Sequence, residues 1–180
     1  MKEVYIFLTT GFEEIEALGT IDILRRGEIQ LKSVSLESSK RVIGSHGIAV
    51  EADILFTEAD FDNAEMLILP GGTVRINEHE GLRSEIKKFA EAGKNIAAIC
   101  AAPMVLGTMG LLKGKNATAY PGFEQYLEGA SVDKSAAVVV DGNIITGRGP
   151  GLTMDFALKV LEILRDKNAS DEVARQLLLK

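Results

Sequence analysis

The single cysteine of the chain, Cys100, stands where a nucleophile could work. It follows the apolar run 96–99, which predicts a buried strand, and Pro103 is typical of the first turn of a helix. A cysteine at such a sharp turn has the geometry of a nucleophile elbow, in which backbone N–H groups point at the sulfur. Since a helix start favours thiolate over thiol, we expect the pKa of Cys100 to lie below its usual value. The equal alternative is that Cys100 is a small apolar core residue.

A thiolate at this position needs a partner for proton transfer, and Glu16 is the strongest candidate. Apolar residues recur at helical spacing over 13–26, which predicts a helix. On that helix the neighbours of Glu16 are apolar or small: Phe12, Gly19, Thr20 and Ile23. Burial raises the pKa of a carboxyl group, so a buried Glu16 could hold a proton and share it with sulfur. The alternative is a surface glutamate that, like Glu13 and Glu14, merely favours the helix N-terminus.

Two glycine-rich turns follow other apparent strand ends. Gly71 and Gly72 would let the backbone approach a ligand closely and present N–H donors to an oxyanion, although a simple tight turn explains them equally well. The segment 147–151, which contains Arg148, opens a helix. It lacks the Lys-Ser/Thr of a phosphate-binding loop and does not match the dinucleotide fingerprint, so nucleotide binding is disfavoured.

Strand-like apolar runs alternate with helical patterns along the chain. This order predicts an α/β fold, a three-layer sandwich whose mostly parallel central sheet carries helices on both faces. Ligands in such folds bind beyond the carboxyl ends of the strands, where Cys100 and the glycine turns would meet. We expect residues 1–180 to form a single domain, because the length fits one domain.

Composition excludes several classes of protein. A net charge of −6 argues against nucleic acid or an anionic membrane surface as the main partner. One cysteine and two histidines fall short of a disulfide scaffold or a Cys/His zinc site, and we expect no metal and no organic cofactor. With no membrane-length apolar run and no signal-peptide pattern, we expect a cytoplasmic protein.

Six motifs in order give the chain a family resemblance. It resembles the ThiJ/PfpI superfamily, in the branch of the parkinsonism-associated deglycase and its bacterial relatives, over nearly its whole length. The motifs are Gly-Phe-Glu-Glu-Ile-Glu at 11–16, Asp-Ile-Leu-Arg-Arg at 22–26, Leu-Pro-Gly-Gly at 69–72, Ala-Ala-Ile-Cys-Ala-Ala-Pro at 97–103, Tyr-Pro-Gly-Phe at 120–123 and Ile-Thr-Gly-Arg-Gly-Pro-Gly at 145–151.

The resemblance implies a flavodoxin-like sandwich that forms a homodimer. It implies that Cys100 is the reactive cysteine, which oxidises readily to a sulfinate, and that Glu16 is the protonated carboxyl beside it. Backbone donors at Gly72 and Ala101 would complete a pocket to which Gly71, Tyr120 and Arg148 also belong.

The resemblance also implies a range of activities. These are cofactor-independent glyoxalase III-like conversion of methylglyoxal to lactate, deglycation of early glyoxal adducts, redox-responsive chaperoning in oxidative stress and, in another branch, intracellular peptidase. The peptidase branch has His directly after its cysteine, where this chain has Ala101, so we disfavour peptidase activity. The animal deglycase has a pocket histidine where this chain has Tyr120, which is a poor base near pH 7. Glu16 would then have to carry more of the acid–base work.

Two hypotheses follow and share one site. In the first, the protein is a cysteine-dependent enzyme that acts on reactive dicarbonyls or their adducts. In the second, it is a redox-responsive stress protein that senses oxidants through Cys100 with little turnover.

Overall fold

The computed structural model describes residues 2–179, and its centre is a seven-stranded sheet. The strands in this part of the chain are β1 (Glu3–Leu8), β2 (Leu31–Ser35), β3 (Arg41–Ile43), β4 (Ala49–Glu51), β5 (Ile54–Leu55), β6 (Ala64–Leu69), β7 (Asn95–Ile99), β8 (Asn116–Ala117), β9 (Ser131–Val132), β10 (Val138–Asp141) and β11 (Ile144–Gly147). The central sheet has the order β10-β11-β7-β6-β1-β2-β5. Its neighbours pair in parallel except for the edge hairpin of β10 and β11. The mostly parallel sheet predicted from the sequence is therefore confirmed.

The α-helices in the described range are short; the first three lie between strands, and the last two follow β11. They are α1 (Glu14–Arg26), α2 (Glu80–Glu91), α3 (Pro103–Thr108), α4 (Thr153–Leu164) and α5 (Lys167–Gln176). Within residues 2–179, no helix has both the length and the apolar character needed to cross a membrane.

Alternate residues of the central strands build two separate cores, one on each face of the sheet. Along β1, Tyr5 and Phe7 pack on the face covered by α2 and α3, whereas Val4 and Ile6 pack on the face covered by α1, α4 and α5. All four side chains are fully buried, as expected for a parallel strand covered on both sides. The three-layer sandwich predicted from the sequence is therefore confirmed.

Small elements complete the fold. The last helix, α5, ends at Gln176, and Leu178 beyond it is largely exposed. Two short pairs outside the central sheet, β3 with β4 and β8 with β9, cover its periphery. β3 and β4 pair antiparallel as a hairpin around the turn 44–47.

Candidate active site

Cys100 lies at a strained turn directly after β7. Its φ of +65° falls in the left-handed region that non-glycine residues rarely adopt. Two backbone hydrogen bonds hold this conformation: the Cys100 N–H donates to the carbonyl of Gly147, and the Cys100 carbonyl accepts from the Tyr120 N–H, both at 2.9 Å. The Ala101 amide donates to the sulfur. The nucleophile elbow predicted from the sequence is thus the local geometry of Cys100, whose side chain lies near the carboxyl ends of β7 and β11.

Glu16 is fully buried beside Cys100, so the surface alternative considered for it is wrong. The first turn of α1 carries its carboxyl group toward the turn after β6, where Oε2 accepts the Gly71 N–H at 2.7 Å. Its second oxygen, Oε1, has no hydrogen-bond partner among the described residues. An ionised carboxylate with an unpartnered oxygen is costly in such a dry place, so this environment suits the protonated acid.

Gly71 leaves little room for a side chain because it lies between the side chains of Cys100 and Glu16. A Cβ built there would stand 2.8 Å from Cys100 Cβ and 2.9 Å from Glu16 Oε2. Its N–H is taken by Glu16, so Gly71 is not the free oxyanion donor that the sequence suggested. The amide of Gly72 donates to no acceptor in residues 2–179, and it lies in a turn with φ of +96°. The Ala101 amide is thus engaged by the sulfur, whereas Gly72 keeps an N–H that no acceptor in residues 2–179 takes.

Cys100 and Glu16 each shift the pKa of the other. Burial, with a smaller contribution from the Glu13 charge, raises the pKa of Glu16 to about 7, although its interactions with Cys100 and Gly71 oppose the shift. Burial and the neighbouring Glu16 carboxylate raise the pKa of the Cys100 thiol, and the Ala101 amide only partly offsets them. The expectation of a lowered thiol pKa was therefore wrong. When Glu16 keeps its proton, the repulsion disappears and a carboxyl O–H faces the sulfur.

Tyr120 and Arg148 lie together beside the elbow. They line a pocket of about 440 Å³ with Pro121, Pro150 and Leu152. The Tyr120 ring is half-exposed and faces Gly149, where an added Cβ would stand 3.2 Å from the ring. Arg148 donates from Nη1 to the carbonyl of Lys134 at 2.6 Å, which ties the pocket wall to the loop before β10.

Neither histidine is placed as a base for Cys100 within this chain. His46 lies on the β3–β4 turn, where its N–H and Nδ1 contact the Glu14 carboxylate at 2.7 and 2.8 Å. His79 caps α2 by accepting the Leu82 N–H and packs against the ring of Phe56, so it is half-buried rather than solvated. Glu16 is therefore the titratable group in contact with the thiol.

One group in the described range has the spacing of metal ligands. Donor atoms of Glu13, Glu14 and His46 lie within 4.8 Å of one another. Hydrogen bonds within the chain explain this arrangement, because Glu13 accepts the Glu16 N–H and Glu14 binds His46. The sequence analysis missed this capping role of Glu13. Its signal was an acidic residue three positions before Glu16, the spacing of an N-cap contact.

Comparison with known proteins places this site in a family. The sequence profile of the DJ-1/PfpI family matches residues 2–163. The chain is 37% identical to a protein named deglycase from Pyrococcus abyssi, over 90% of this chain and 99% of that protein. A solved structure of oxidised Toxoplasma gondii DJ-1 superposes with a TM-score of 0.93 at 35% identity, covering 99% of this chain and 98% of that one. The chain belongs to the DJ-1/PfpI family, and its fold is the flavodoxin-like fold of that family.

Some relatives are much longer than this chain. The Arabidopsis thaliana protein named DJ-1 homolog A is 38% identical over 99% of this chain, which spans only 47% of that protein. The chain therefore spans about half the length of such a relative.

Proposed function

We propose that the protein is a cysteine-dependent deglycase or glyoxalase that acts on reactive dicarbonyls such as methylglyoxal, or on their adducts. The observation that carries the proposal is the contact between the only cysteine and a fully buried carboxyl group whose pKa is raised to about 7. A nucleophile paired with an acid that titrates near neutral pH suits addition to a carbonyl followed by proton transfer. The relatives named deglycase support the same class of reaction.

In the first step, the Cys100 thiol releases its proton to solvent and the sulfur attacks the aldehyde carbon of methylglyoxal. A C–S bond forms while the C=O π electrons move to oxygen, which takes the proton of the Glu16 carboxyl group. The product is a hemithioacetal, and Glu16 is left as a carboxylate. The amides of Gly72 and Ala101 stabilise the oxygen as its negative charge develops.

In the second step, the Glu16 carboxylate removes the proton from the former aldehyde carbon. The resulting enediol takes a proton at the neighbouring carbon, so the aldehyde carbon is oxidised to a thioester while the ketone is reduced to an alcohol. Water then cleaves the C–S bond and releases lactate and the thiol. Methylglyoxal plus water gives lactate and one proton, the proton that the Cys100 thiol releases at the start, and every other proton transferred comes from the substrate, water or the Cys100–Glu16 pair.

The pocket lined by Tyr120 and Arg148 would receive the rest of a larger adduct. Its lining is mostly apolar, and the phenol of Tyr120 can donate a hydrogen bond. We place the protein in a reducing compartment, the cytoplasm, because the proposed chemistry requires Cys100 as a free thiol.

The test is product formation from methylglyoxal and from a methylglyoxal-treated peptide by fully reduced protein. Wild type should form lactate or release free peptide, and Cys100→Ser should form neither. Ser84→Ala, a change on the exposed surface of α2, serves as the matched control and should retain wild-type turnover. Full turnover by Cys100→Ser would refute the proposal.

The second candidate function is a redox response through Cys100. The thiol faces the Ala101 amide and the Glu16 carboxyl, which can hold sulfur oxygens by hydrogen bonds, and the Toxoplasma gondii relative has been solved in an oxidised form. Each peroxide would transfer one oxygen atom to sulfur and leave as water, giving first the sulfenate and then the sulfinate. Intact mass measured during a peroxide titration should show two added oxygens in wild type and none in Cys100→Ser. An unmodified wild-type thiol at peroxide levels that oxidise free cysteine would exclude this function.

We also propose that the protein forms a homodimer through the exposed face of α1. Apolar side chains are exposed on α1, on the adjoining β3–β4 hairpin and on neighbouring α4: Ile15, Leu18, Ile43, Ile48 and Met154. Such a patch is typical of an association surface. Sedimentation should show a dimer for wild type and a monomer for Ile15→Glu, with Val140→Glu as the control on the opposite sheet edge. A monomeric wild type would contradict the proposal.

A further inference from the structure

Glu13 connects both sides of the active site through a closed ring of three hydrogen bonds. Its N–H donates to the carbonyl of Gly71 at 2.9 Å, and its Oε2 accepts the Glu16 N–H at 2.7 Å. The Gly71 N–H donates in turn to Glu16 Oε2 at 2.7 Å, which completes the ring. The first turn of α1 and the turn after β6 therefore cannot move independently while Glu13 is in place.

The backbone of Glu13 lies so close to the turn after β6 that Gly72 has no room for a side chain. A Cβ built on Gly72 would stand 2.3 Å from the Glu13 nitrogen, and Gly72 has a positive φ of 96°. Gly72 thus lets the backbone of Glu13 reach the same turn that presents the Gly71 N–H to Glu16. Glu13 itself is 9% exposed, so its carboxylate is poorly screened from the pair.

Glutamate is an unexpected residue at this position. Glu13 is the N-cap of α1, where Ser, Thr, Asp and Asn are the preferred capping residues. A residue needed only for capping would be one of those four. What Glu adds is a negative charge on a longer side chain, next to a second carboxyl group and a thiol.

We propose that Glu13 is a positioning residue for the Cys100–Glu16 pair: its carboxylate holds Glu16 in place, and its negative charge opposes ionisation of that pair. Like charges disfavour each other's ionisation, and both members of the pair feel the Glu13 charge in this direction. The inference deepens the proposed function, but it concerns the state of the pair before any substrate binds.

Other ionisable groups around Glu13 are few. Glu14 follows it on α1, and His46 approaches from the β3–β4 turn. The turn after β6 contributes only the glycines, and the turn after β7 contributes Cys100. Because His46 and Glu14 bind each other, their charges offset when His46 is protonated, and the charge of Glu13 remains for the pair.

The test measures the pH dependence of iodoacetamide alkylation of Cys100 in reduced protein. Glu13→Gln and Glu13→Ser both remove the charge, and Ser is also a preferred N-cap residue. We expect both to move the midpoint of the alkylation profile to lower pH by roughly half a unit, which is about threefold faster alkylation below the midpoint. Glu13→Asp, which keeps charge and cap, should retain the wild-type midpoint.

The Ser variant decides between the two roles. If capping alone matters, Glu13→Ser has the wild-type profile and the proposal is overturned. If Glu13→Gln folds poorly, as judged by its melting temperature, the comparison of Ser with Asp still gives the answer. Because alkylation needs no dicarbonyl, a shifted profile without turnover would uphold the role of Glu13 while refuting the proposed function.

Discussion

Glu14 and Glu16 lie in the same first turn of α1, are both largely buried, and hold their protons very differently. Burial raises the pKa of each, but hydrogen bonds from His46 and Ser45 outweigh it for Glu14 and lower its pKa to about 2. Glu16 has only the N–H of Gly71 and the interaction with Cys100 to stabilise its ionised form. These two contacts do not outweigh burial, so the pKa of Glu16 rises to about 7. The number of hydrogen-bond donors around a buried carboxyl group therefore decides whether it is a permanent anion or a group that can carry a proton.

The largest expected difference between the two carboxyls is in turnover. Glu16→Gln should lower dicarbonyl turnover by roughly 10²- to 10⁴-fold, because it removes the group that moves protons next to Cys100. Glu14→Gln should stay within about threefold of wild type, since Glu14 binds the hairpin rather than the thiol. Equal losses in both variants, measured as kcat on reduced protein, would break the distinction.

The two carboxyls should also give stability opposite dependences on pH. The Glu16 pKa is raised on folding from 4.5, so its contribution is present at low pH and is lost as the pH rises from about 4.5 to 7. Glu16→Gln does not titrate and should therefore gain up to roughly 3 kcal/mol relative to wild type between pH 4 and pH 8.

The Glu14 pKa is lowered on folding, so its contribution is present above pH 4.5 and is lost as the pH falls toward 2. Glu14→Gln should then be less stable than wild type at neutral pH, with the difference shrinking in acid. Urea unfolding at several pH values measures both effects. Parallel pH profiles for the two variants would be inconsistent with this assignment.

Close packing around Glu16 predicts that two glycine substitutions differ in their effect on stability. Gly71→Ala should destabilise the protein by about 1–3 kcal/mol, because the new methyl group overlaps both Cys100 and Glu16. Gly151 has open space around its α-carbon and no positive φ, so Gly151→Ala is the matched control and should change stability little. Thermal unfolding of the two variants gives the comparison, and an unaffected Gly71→Ala would mean that the pair is less closely packed than described.

The smallest effect is expected at His46. Its contact with the Glu14 carboxylate raises the pKa of His46 above 6.5, so the associated stabilisation is present below that pH and is lost as the pH rises through the folded pKa. NMR titration should show the raised value in wild type and a return toward 6.5 in Glu14→Gln. A His46 that titrates identically in both proteins would show that the contact does not persist in solution.

The sequence predicts much of this arrangement because local patterns determine it. The apolar run before Cys100, Pro103 and the helical spacing around Glu16 correctly predict the strand, the turn and a buried face of α1. The family motifs then select Glu16 over its two acidic neighbours.

Contacts between distant residues could not be predicted in the same way. The direction of the Cys100 pKa shift depends on burial and on Glu16, which reaches the thiol only when the first turn of α1 packs against the turn after β6. The use of the Gly71 N–H by Glu16 likewise depends on the register between two elements far apart in the chain. Local helix-start arguments therefore predicted the turn at Cys100 correctly but gave the wrong direction for the shift of its pKa.

The most direct test of the account is the titration of the Glu16 carboxyl group itself. Carbon-13 NMR of reduced protein labelled at the glutamate side-chain carboxyls, with Glu16→Gln to assign the resonance, reports its protonation at each pH. We expect a midpoint near pH 7, consistent with an acid that holds its proton beside Cys100. A midpoint at or below 4.5 would contradict it, because Glu16 would then be a permanent anion like Glu14 and could not deliver a proton.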